Sequence, residues 1–284
     1  MVAAYVSING ELVADAEARL HVSDLTFRRA YGAFDFLRVE RGVVLFLDDY
    51  LERFARSAKV LRLELPSSAT LKSQIHALLE ANATESAGIQ MFLTGGYTPD
   101  GYTPVEPNLV LLEVPIKGYP DKMFTKGVKL ISHEYQRDLP SAKTTNYMMA
   151  VYLRDDIKNA GAVDALYHAN GYALESTRCN LFIVKNGDLI TPKDKVLHGV
   201  TRKQILKVAS GIVPIEERPV TLDELFSADE VFITSSTKGA MPVRQIDDRK
   251  IADGNPGKVT EQLMNRFDEH LQAYVEENSL AANI

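Results

Sequence analysis

Asn-Gly occurs three times in this chain, as Asn9-Gly10, Asn170-Gly171 and Asn186-Gly187, each time between apolar, β-prone runs. Both residues of this dipeptide tolerate the positive φ of a two-residue turn whose twist matches the flanking strands, so each pair predicts a β-hairpin. Tyr5 to Val13 reads as one hairpin. Phe182 to Ile190 reads as another, with Ile183-Val184 before its turn and Leu189-Ile190 after it.

Helical periods lie between these strands. Leu47 to Leu63 opens on Asp48-Asp49, which suit the positive end of a helix dipole, and sets Leu51, Phe54, Ala58 and Leu61 on one face. Ser67 to Ala83 follows Pro66 and spaces Leu71, Ile75 and Leu78-Leu79 as a helix does. Asn146 to Ala160 reads as a third helix. Val259, Leu263, Phe267, Leu271 and Val275 recur every four residues behind Asn255-Pro256-Gly257, which predicts an amphipathic C-terminal helix. Gln90 to Thr94, Leu109 to Val114 and Val231 to Thr234 are near-continuously apolar and read as strands. The run Val114-Pro115-Ile116-Lys117-Gly118-Tyr119-Pro120 breaks both periods and is the candidate linker. The expectation is a mixed α+β chain of two domains. A small N-terminal domain covers 1–115, a linker 116–125, and a larger domain 126–284.

Composition excludes several classes. Hydrophobic residues make up 45% of the 284, enough for a real core. The net charge of −6 is spread along the chain without a basic stripe, so no nucleic-acid partner is expected. No apolar run approaches the roughly 20 residues that span a bilayer, so no membrane partner is expected either. Met1 to Tyr5 lacks the charged-then-apolar start of a secretory signal. A single cysteine, Cys179, fits a reducing compartment, and the expected location is cytoplasmic. The six histidines show no ligand spacing, and no metal is expected.

Four short segments can carry chemistry. Lys143 follows Leu139-Pro140 and precedes an apolar helix. A solvated surface lysine fits, and so does a Schiff-base lysine, which must be an amine on a rigid element able to attack an aldehyde and later shuttle a proton. Glu175 follows a hairpin strand and precedes Ser176-Thr177. It can be a solvated carboxylate, or the carboxylate that keeps a pyridine nitrogen protonated when the ring serves as an electron sink. Gly199-Val200-Thr201-Arg202 leads into a helix. It can seat a phosphate on free backbone N–H groups, or Thr201 can simply cap the helix. Thr234 to Gly239 places hydroxyls at a strand end, for phosphate contacts or for closing a turn.

Their order resembles the class IV aminotransferases, the fold-type IV pyridoxal-phosphate (PLP) enzymes that include branched-chain aminotransferases, D-amino acid transaminases and aminodeoxychorismate lyases. The likeness runs from Ile8-Asn9-Gly10 to Met241-Pro242-Val243. Phe27 to Asp35 resembles the family's aromatic, glycine and acidic segment. Leu47 through Arg53 to Ala58 resembles the helix whose arginine grips the cofactor phosphate. Lys143 with Asn146-Tyr147 resembles the catalytic-lysine motif, and Glu175, five residues before Asn180, the glutamate facing the pyridine nitrogen. Gly199 to Arg202 and Ser236-Thr237 match the two phosphate-binding turns.

The resemblance implies a fold-type IV enzyme with Lys143 as catalytic residue. Arg53, Lys143, Tyr147, Glu175, Arg178, Val200, Thr201, Ser236 and Thr237 would hold PLP. It implies a homodimer with active sites at the subunit interface, and transfer of an amino group from an amino acid, preferably a D-amino acid, to a 2-oxo acid such as 2-oxoglutarate or pyruvate. A branched-chain L-amino acid aminotransferase is the alternative, then an aminodeoxychorismate lyase. A non-catalytic PLP-binding protein would not need both Lys143 and Glu175.

The departures concern substrate. Tyr50 stands where the family has a histidine. Asp100 and Tyr102 stand in the loop where well-known D-amino acid transaminases place an arginine and a histidine. The branched-chain glycine after the acidic residue is Phe36, and the threonine usual in the lyases near this point is missing. An α-carboxylate still needs a cation. Arg28, in a segment that the resemblance places near the partner's active site, is the candidate, with Arg178 the companion and Arg29 a weaker one.

Overall fold

The computed structural model describes residues 3–281. They form two compact units. One holds the chain up to Lys117 together with Ala142–Asn146 and the stretch from Ala273 on; the other holds Gly118–Ser141 and Tyr147–Gln272.

The first unit is built on a six-stranded antiparallel sheet, in the order Glu11–Ala14, Tyr5–Ile8, Leu109–Val114, Ser86–Thr94, Gly32–Glu40, Val43–Val44. Its first hairpin turns at Asn9 and Gly10, whose φ values of 53° and 90° are those expected of the dipeptide. The Gly32–Glu40 strand pairs over its whole length, from Gly32 opposite Thr94 to Glu40 opposite Ser86. Alternate residues point to opposite faces of a strand, so Ala33, Asp35, Leu37 and Val39 share one face, and all four are fully buried. Asp35 is therefore a carboxylate in an apolar row. Helix Leu47–Val60 packs on this strand. Tyr50, Leu51, Phe54 and Ala58 line its buried face, and Arg53 and Ser57 lie among them. Helix Ser68–Asn82 begins where Ser67 accepts the N–H of Thr70.

The second unit contains a ten-stranded sheet. Six strands run Asn180–Lys185, Glu230–Ser235, Gly239–Ile246, Val128–Glu134, Asp164–Ala169, Tyr172–Ser176, and Asn180 pairs with Glu175 to bring the last back to the first. The sheet thus closes on itself at Glu175. The Asn170-Gly171 and Asn186-Gly187 pairs turn the two expected hairpins, all four residues at positive φ. Leu130, Leu166, Leu181, Ile183, Ile233 and Met241 form part of the interior. Phe182 stacks on Phe232 with ring centroids 4.9 Å apart. Burying such side chains stabilises the fold by about 1.5–3 kcal/mol each.

The C-terminal helix runs Lys258–Ala281, and Leu263, Phe267, Leu271 and Val275 are buried as their spacing predicts. One helical expectation needs correction. Asn146 to Ala160 is two short helices, Met148–Tyr152 and Arg154–Asn159. At Leu153 ψ is −1°, which interrupts the regular helix, and Leu153 is the buried side chain of the segment while Met148, Val151 and Tyr152 are exposed. No helix among the described residues is long and apolar enough to cross a membrane.

Candidate active site

Lys143 belongs to a short segment carried by the first unit. Its carbonyl accepts the N–H of Phe34 at 2.9 Å, Thr144 bridges to Ala33, and the Thr145 N–H reaches Gly32 O at 2.8 Å. The Lys143 N–H donates to Ser57 Oγ at 3.0 Å. The segment thus lies along the Gly32–Glu40 strand, the rigid mounting that a nucleophilic amine needs. Gly32 is required there, because a Cβ would run into Leu93 O at 2.9 Å. The half-buried Lys143 places its ammonium 4.4 Å from the Phe34 ring centroid.

Arg53 sits on the same helix as Ser57, one turn earlier. Its Nε donates to Asp35 Oδ2 at 3.0 Å and its Nη2 to Asp35 Oδ1 at 2.5 Å, a two-pronged pair with side chains 5% and 0% exposed. This pair satisfies the carboxylate in the apolar row and fixes the plane of the guanidinium. The Tyr50 ring lies 5.1 Å from Arg53 Cζ, so the residue in the family's histidine position also packs on the arginine.

In the second unit, Glu175 is 5% exposed. Its Oε1 accepts from Arg137 Nε at 3.1 Å, and its Oε2 from the Leu197 N–H at 3.0 Å. Arg137 also donates to Thr177 O at 2.5 Å and lies over the rings of Tyr147, at 4.8 Å, and Tyr167, at 5.6 Å. Burial works against the Arg137 charge, but Tyr147, Glu175 and Tyr167 outweigh it and leave its pKa raised. Sequence reasoning misses Arg137. Its only local signal is an arginine shortly before Lys143, and nothing in that spacing separates it from a surface residue. Tyr147 is brought to Glu175 through Arg137.

The turn after Glu175 is held by Asp164, which accepts Ser176 Oγ at 3.1 Å and Thr177 Oγ1 at 2.5 Å. Arg178 is exposed in that turn, while Glu175 is buried. Arg137 is paired with the Glu175 carboxylate.

Asn180 Nδ2 donates to Leu197 O at 2.6 Å, so Leu197 is clasped by Asn180 and Glu175 together. Two residues on, Gly199 begins the helix Val200–Ala209 with no side-chain cap, and a Cβ there would overlap Asn180 Oδ1. Thr201 is therefore inside the first turn rather than capping it. It is buried, as is Val200. The Thr234 hydroxyl is also buried, with no hydrogen-bond partner among the described residues, and Ser236 and Thr237 lie in the turn that follows its strand. Glu175 and the Gly199 turn thus belong to one hydrogen-bonded group, offering a fixed carboxylate and an uncapped helix start.

Arg28 lies at the end of the short helix Leu25–Arg29, exposed. Asp100 is exposed as well, and its carboxylate is turned onto its own loop. It accepts from Thr98 Oγ1, Tyr102 N–H and Thr103 N–H, each at 2.8 Å, and from Thr103 Oγ1 at 2.6 Å. The Thr103 side chain and backbone, then Thr98 and Tyr102, hold the Asp100 carboxyl far below the usual carboxylate range. The Tyr102 ring is exposed.

The amino-transferase class IV family model matches residues 32–246. A D-alanine aminotransferase from Bacillus licheniformis is 30% identical, over 91% of this chain and 94% of its own. A putative branched-chain-amino-acid aminotransferase from Methanocaldococcus jannaschii is 32% identical, over 92% and 94%. A solved T.th. branched-chain amino acid aminotransferase with pyridoxamine 5'-phosphate superimposes with a TM-score of 0.89 at 26% identity, covering 96% of this chain and 95% of that one. The chain belongs to the class IV, fold-type IV PLP-dependent aminotransferase family.

Proposed function

We propose that this chain is a PLP-dependent aminotransferase that passes the amino group of an amino acid, preferably a D-amino acid, to a 2-oxo acid such as 2-oxoglutarate or pyruvate. The observation that carries the reading is the buried Glu175 carboxylate, held by Arg137 and the Leu197 N–H in the same group as the Gly199 helix start. A protein that only stored the cofactor would need the helix start but not the carboxylate.

The residues fit a phosphorylated pyridine. Val200 and Thr201 at the uncapped helix start, the Ser236-Thr237 turn and Arg53 would hold the phosphate. Tyr147 would meet the ring. When bound, PLP supplies an aldehyde that takes the substrate amine and a ring that accepts the electron pair freed at the α-carbon. Glu175 holds the proton at the ring nitrogen, and Arg137 keeps the carboxylate aimed. Lys143 would hold the cofactor, and its side-chain amine would move the proton at the substrate α-carbon. Arg28 takes the substrate carboxylate through its planar fork, which can make two parallel hydrogen bonds. In this reading the chain works as a homodimer, with the active sites at the subunit interface. The exposed Val22 and Phe27 beside an apolar cavity of about 510 Å³ support such a partner face. The buried free thiol of Cys179 fits a cytoplasmic setting.

The D-preference rests on Arg28 and on the D-alanine aminotransferase relatives that span nearly the whole chain. The likeness to branched-chain enzymes, in the Methanocaldococcus relative and the solved structures, favours a second reading, an L-specific branched-chain enzyme. The deciding experiment mixes the purified holoenzyme with a panel of D- and L-amino acids and follows amination of the cofactor by absorbance. Reaction with D-alanine and D-glutamate supports the first reading, and reaction with L-leucine, L-isoleucine and L-valine alone supports the second. Reaction with none overturns both.

A further inference from the structure

The loop that lacks the usual carboxylate trap is organised around Arg28 instead. It leaves the Ser86–Thr94 strand and re-enters the sheet at Leu109–Val114. Both of its ends are tied to Asp24, whose Oδ2 accepts Thr94 Oγ1 at 2.7 Å and Asn108 Nδ2 at 3.0 Å. Asp24 is also the N-cap of the Arg28 helix, its Oδ1 accepting the Thr26 N–H at 2.8 Å. The Leu25 N–H then donates to Gly96 O at 2.9 Å, and Asp24 bridges to Tyr97. Helix and loop therefore share one root.

They also meet at their tips. Gly101 has φ +74°, a conformation that favours glycine, and a Cβ built there would fall inside the Arg28 guanidinium, overlapping Cζ and both terminal nitrogens. The backbone thus disfavours a side chain at this position, and one placed there would require the Arg28 guanidinium to move. The preceding residue fixes the turn. Asp100 accepts four hydrogen bonds from Thr98, Tyr102 and Thr103. Three of these bonds fall on Oδ1 and one on Oδ2, all from within the loop, and among the described residues none joins Asp100 to the guanidinium beside its neighbour. The loop supports Arg28 sterically without consuming its donors.

We propose that the Asp100-clamped turn is a mount for Arg28, with Asp100, Gly101 and Thr103 as positioning residues that set the direction in which the guanidinium meets a substrate carboxylate. The proposal rests on the reading of Arg28 as the carboxylate partner. A guanidinium at the end of a long, exposed side chain would otherwise sample many rotamers, and a contact with a rigid glycine at its tip restricts them before substrate arrives.

The test measures kcat and KM for the amino donor in PLP-loaded wild type, Gly101→Ala, Arg28→Ala, the double variant, Thr103→Val and Thr103→Ser, with PLP retention followed by absorbance. Gly101→Ala is expected to raise KM about tenfold with kcat little changed, the pattern of lost binding rather than lost chemistry. In the Arg28→Ala background it should add less than about twofold, because the two changes act through one contact. Thr103→Val should raise KM in the same direction, and Thr103→Ser, which keeps the hydroxyl bond to Asp100, should restore it. If Arg28→Ala raises KM while Gly101→Ala and Thr103→Val keep the wild-type value, the mount is wrong and the Arg28 reading stands. Effects of Gly101→Ala that add fully to those of Arg28→Ala also overturn it. If Arg28→Ala leaves KM unchanged, the underlying reading fails. Should Gly101→Ala not load PLP, the Thr103 pair decides by the same criteria.

Discussion

Ser57 Oγ accepts the backbone N–H of Lys143 at 3.0 Å and donates to Arg53 O, also at 3.0 Å, from a fully buried position. One hydroxyl thereby joins the backbone of the proposed phosphate arginine to that of the proposed cofactor lysine. Borohydride reduction of the holoenzyme followed by peptide mapping is expected to find the pyridoxyl label on Lys143; a label on another lysine would displace it from its role. Ser57→Ala removes a buried partner of the Lys143 N–H, at a cost of about 1–3 kcal/mol. Urea unfolding of the PLP-free protein measures that loss, and an unchanged midpoint would mean that the Lys143 segment is held without Ser57.

Asp35 and Arg53 form a pair that neither residue can leave cheaply. Removing one member of a buried pair strands the other charge, at a cost of roughly 3–5 kcal/mol, whereas replacing both with apolar residues of similar volume is often neutral. Asp35→Ala is therefore expected to lower the unfolding midpoint strongly. Asp35→Leu with Arg53→Met should recover most of the stability and still bind PLP weakly. PLP affinity at the wild-type level in that double variant would show that Arg53 is a core residue and not a phosphate ligand.

Much of this is legible in the sequence for local reasons. The three Asn-Gly pairs turn hairpins because both residues adopt positive φ there, and the four-residue apolar spacing of the C-terminal helix follows from its buried face. Lys143, Glu175 and the Gly199 turn stand out through their order. What stays hidden depends on contacts distant in sequence. Arg137 is defined by Glu175, 38 positions away, and the Asp35–Arg53 pair spans 18. Asp100 misleads because an acid standing in place of a cation suggests a change at the substrate, whereas its four bonds are local and shape the loop. The break at Leu153 is hidden because the residues on both sides still have helical periodicity.

Tyr167 gives a pH prediction. Burial pushes its phenol up from 10.0 to about 12, against the opposing pull of Arg137. A folded-state pKa above the unfolded value means that the native protein holds the proton more tightly. The stabilisation is complete below pH 10 and is lost as pH rises through the window to about 12. Urea unfolding of wild type and Tyr167→Phe across this range should show a steeper alkaline loss in wild type. Parallel curves would remove Tyr167 as the source.

Glu175 and Arg137 allow aim to be separated from binding. Glu175→Gln keeps the size and one acceptor of the side chain but cannot hold a ring-nitrogen proton as a carboxylate does. It should retain PLP and lose turnover by about 10²–10³-fold, the scale on which a preorganised electrostatic partner acts. Wild-type rates in this variant would remove Glu175 from the chemistry. Arg137→Lys keeps the charge but loses the planar group that donates to both Glu175 Oε1 and Thr177 O while lying over Tyr147 and Tyr167. With the Leu197 N–H still holding Oε2, the carboxylate remains in place but loses the planar partner at Oε1. The expected result is a lower kcat with KM for the amino donor nearly unchanged, and no further loss when Arg137→Lys is added to Glu175→Gln. An Arg137→Lys variant that instead sheds PLP, with kcat normal once saturated, would make Arg137 a cofactor-retention residue and not the group that aims Glu175.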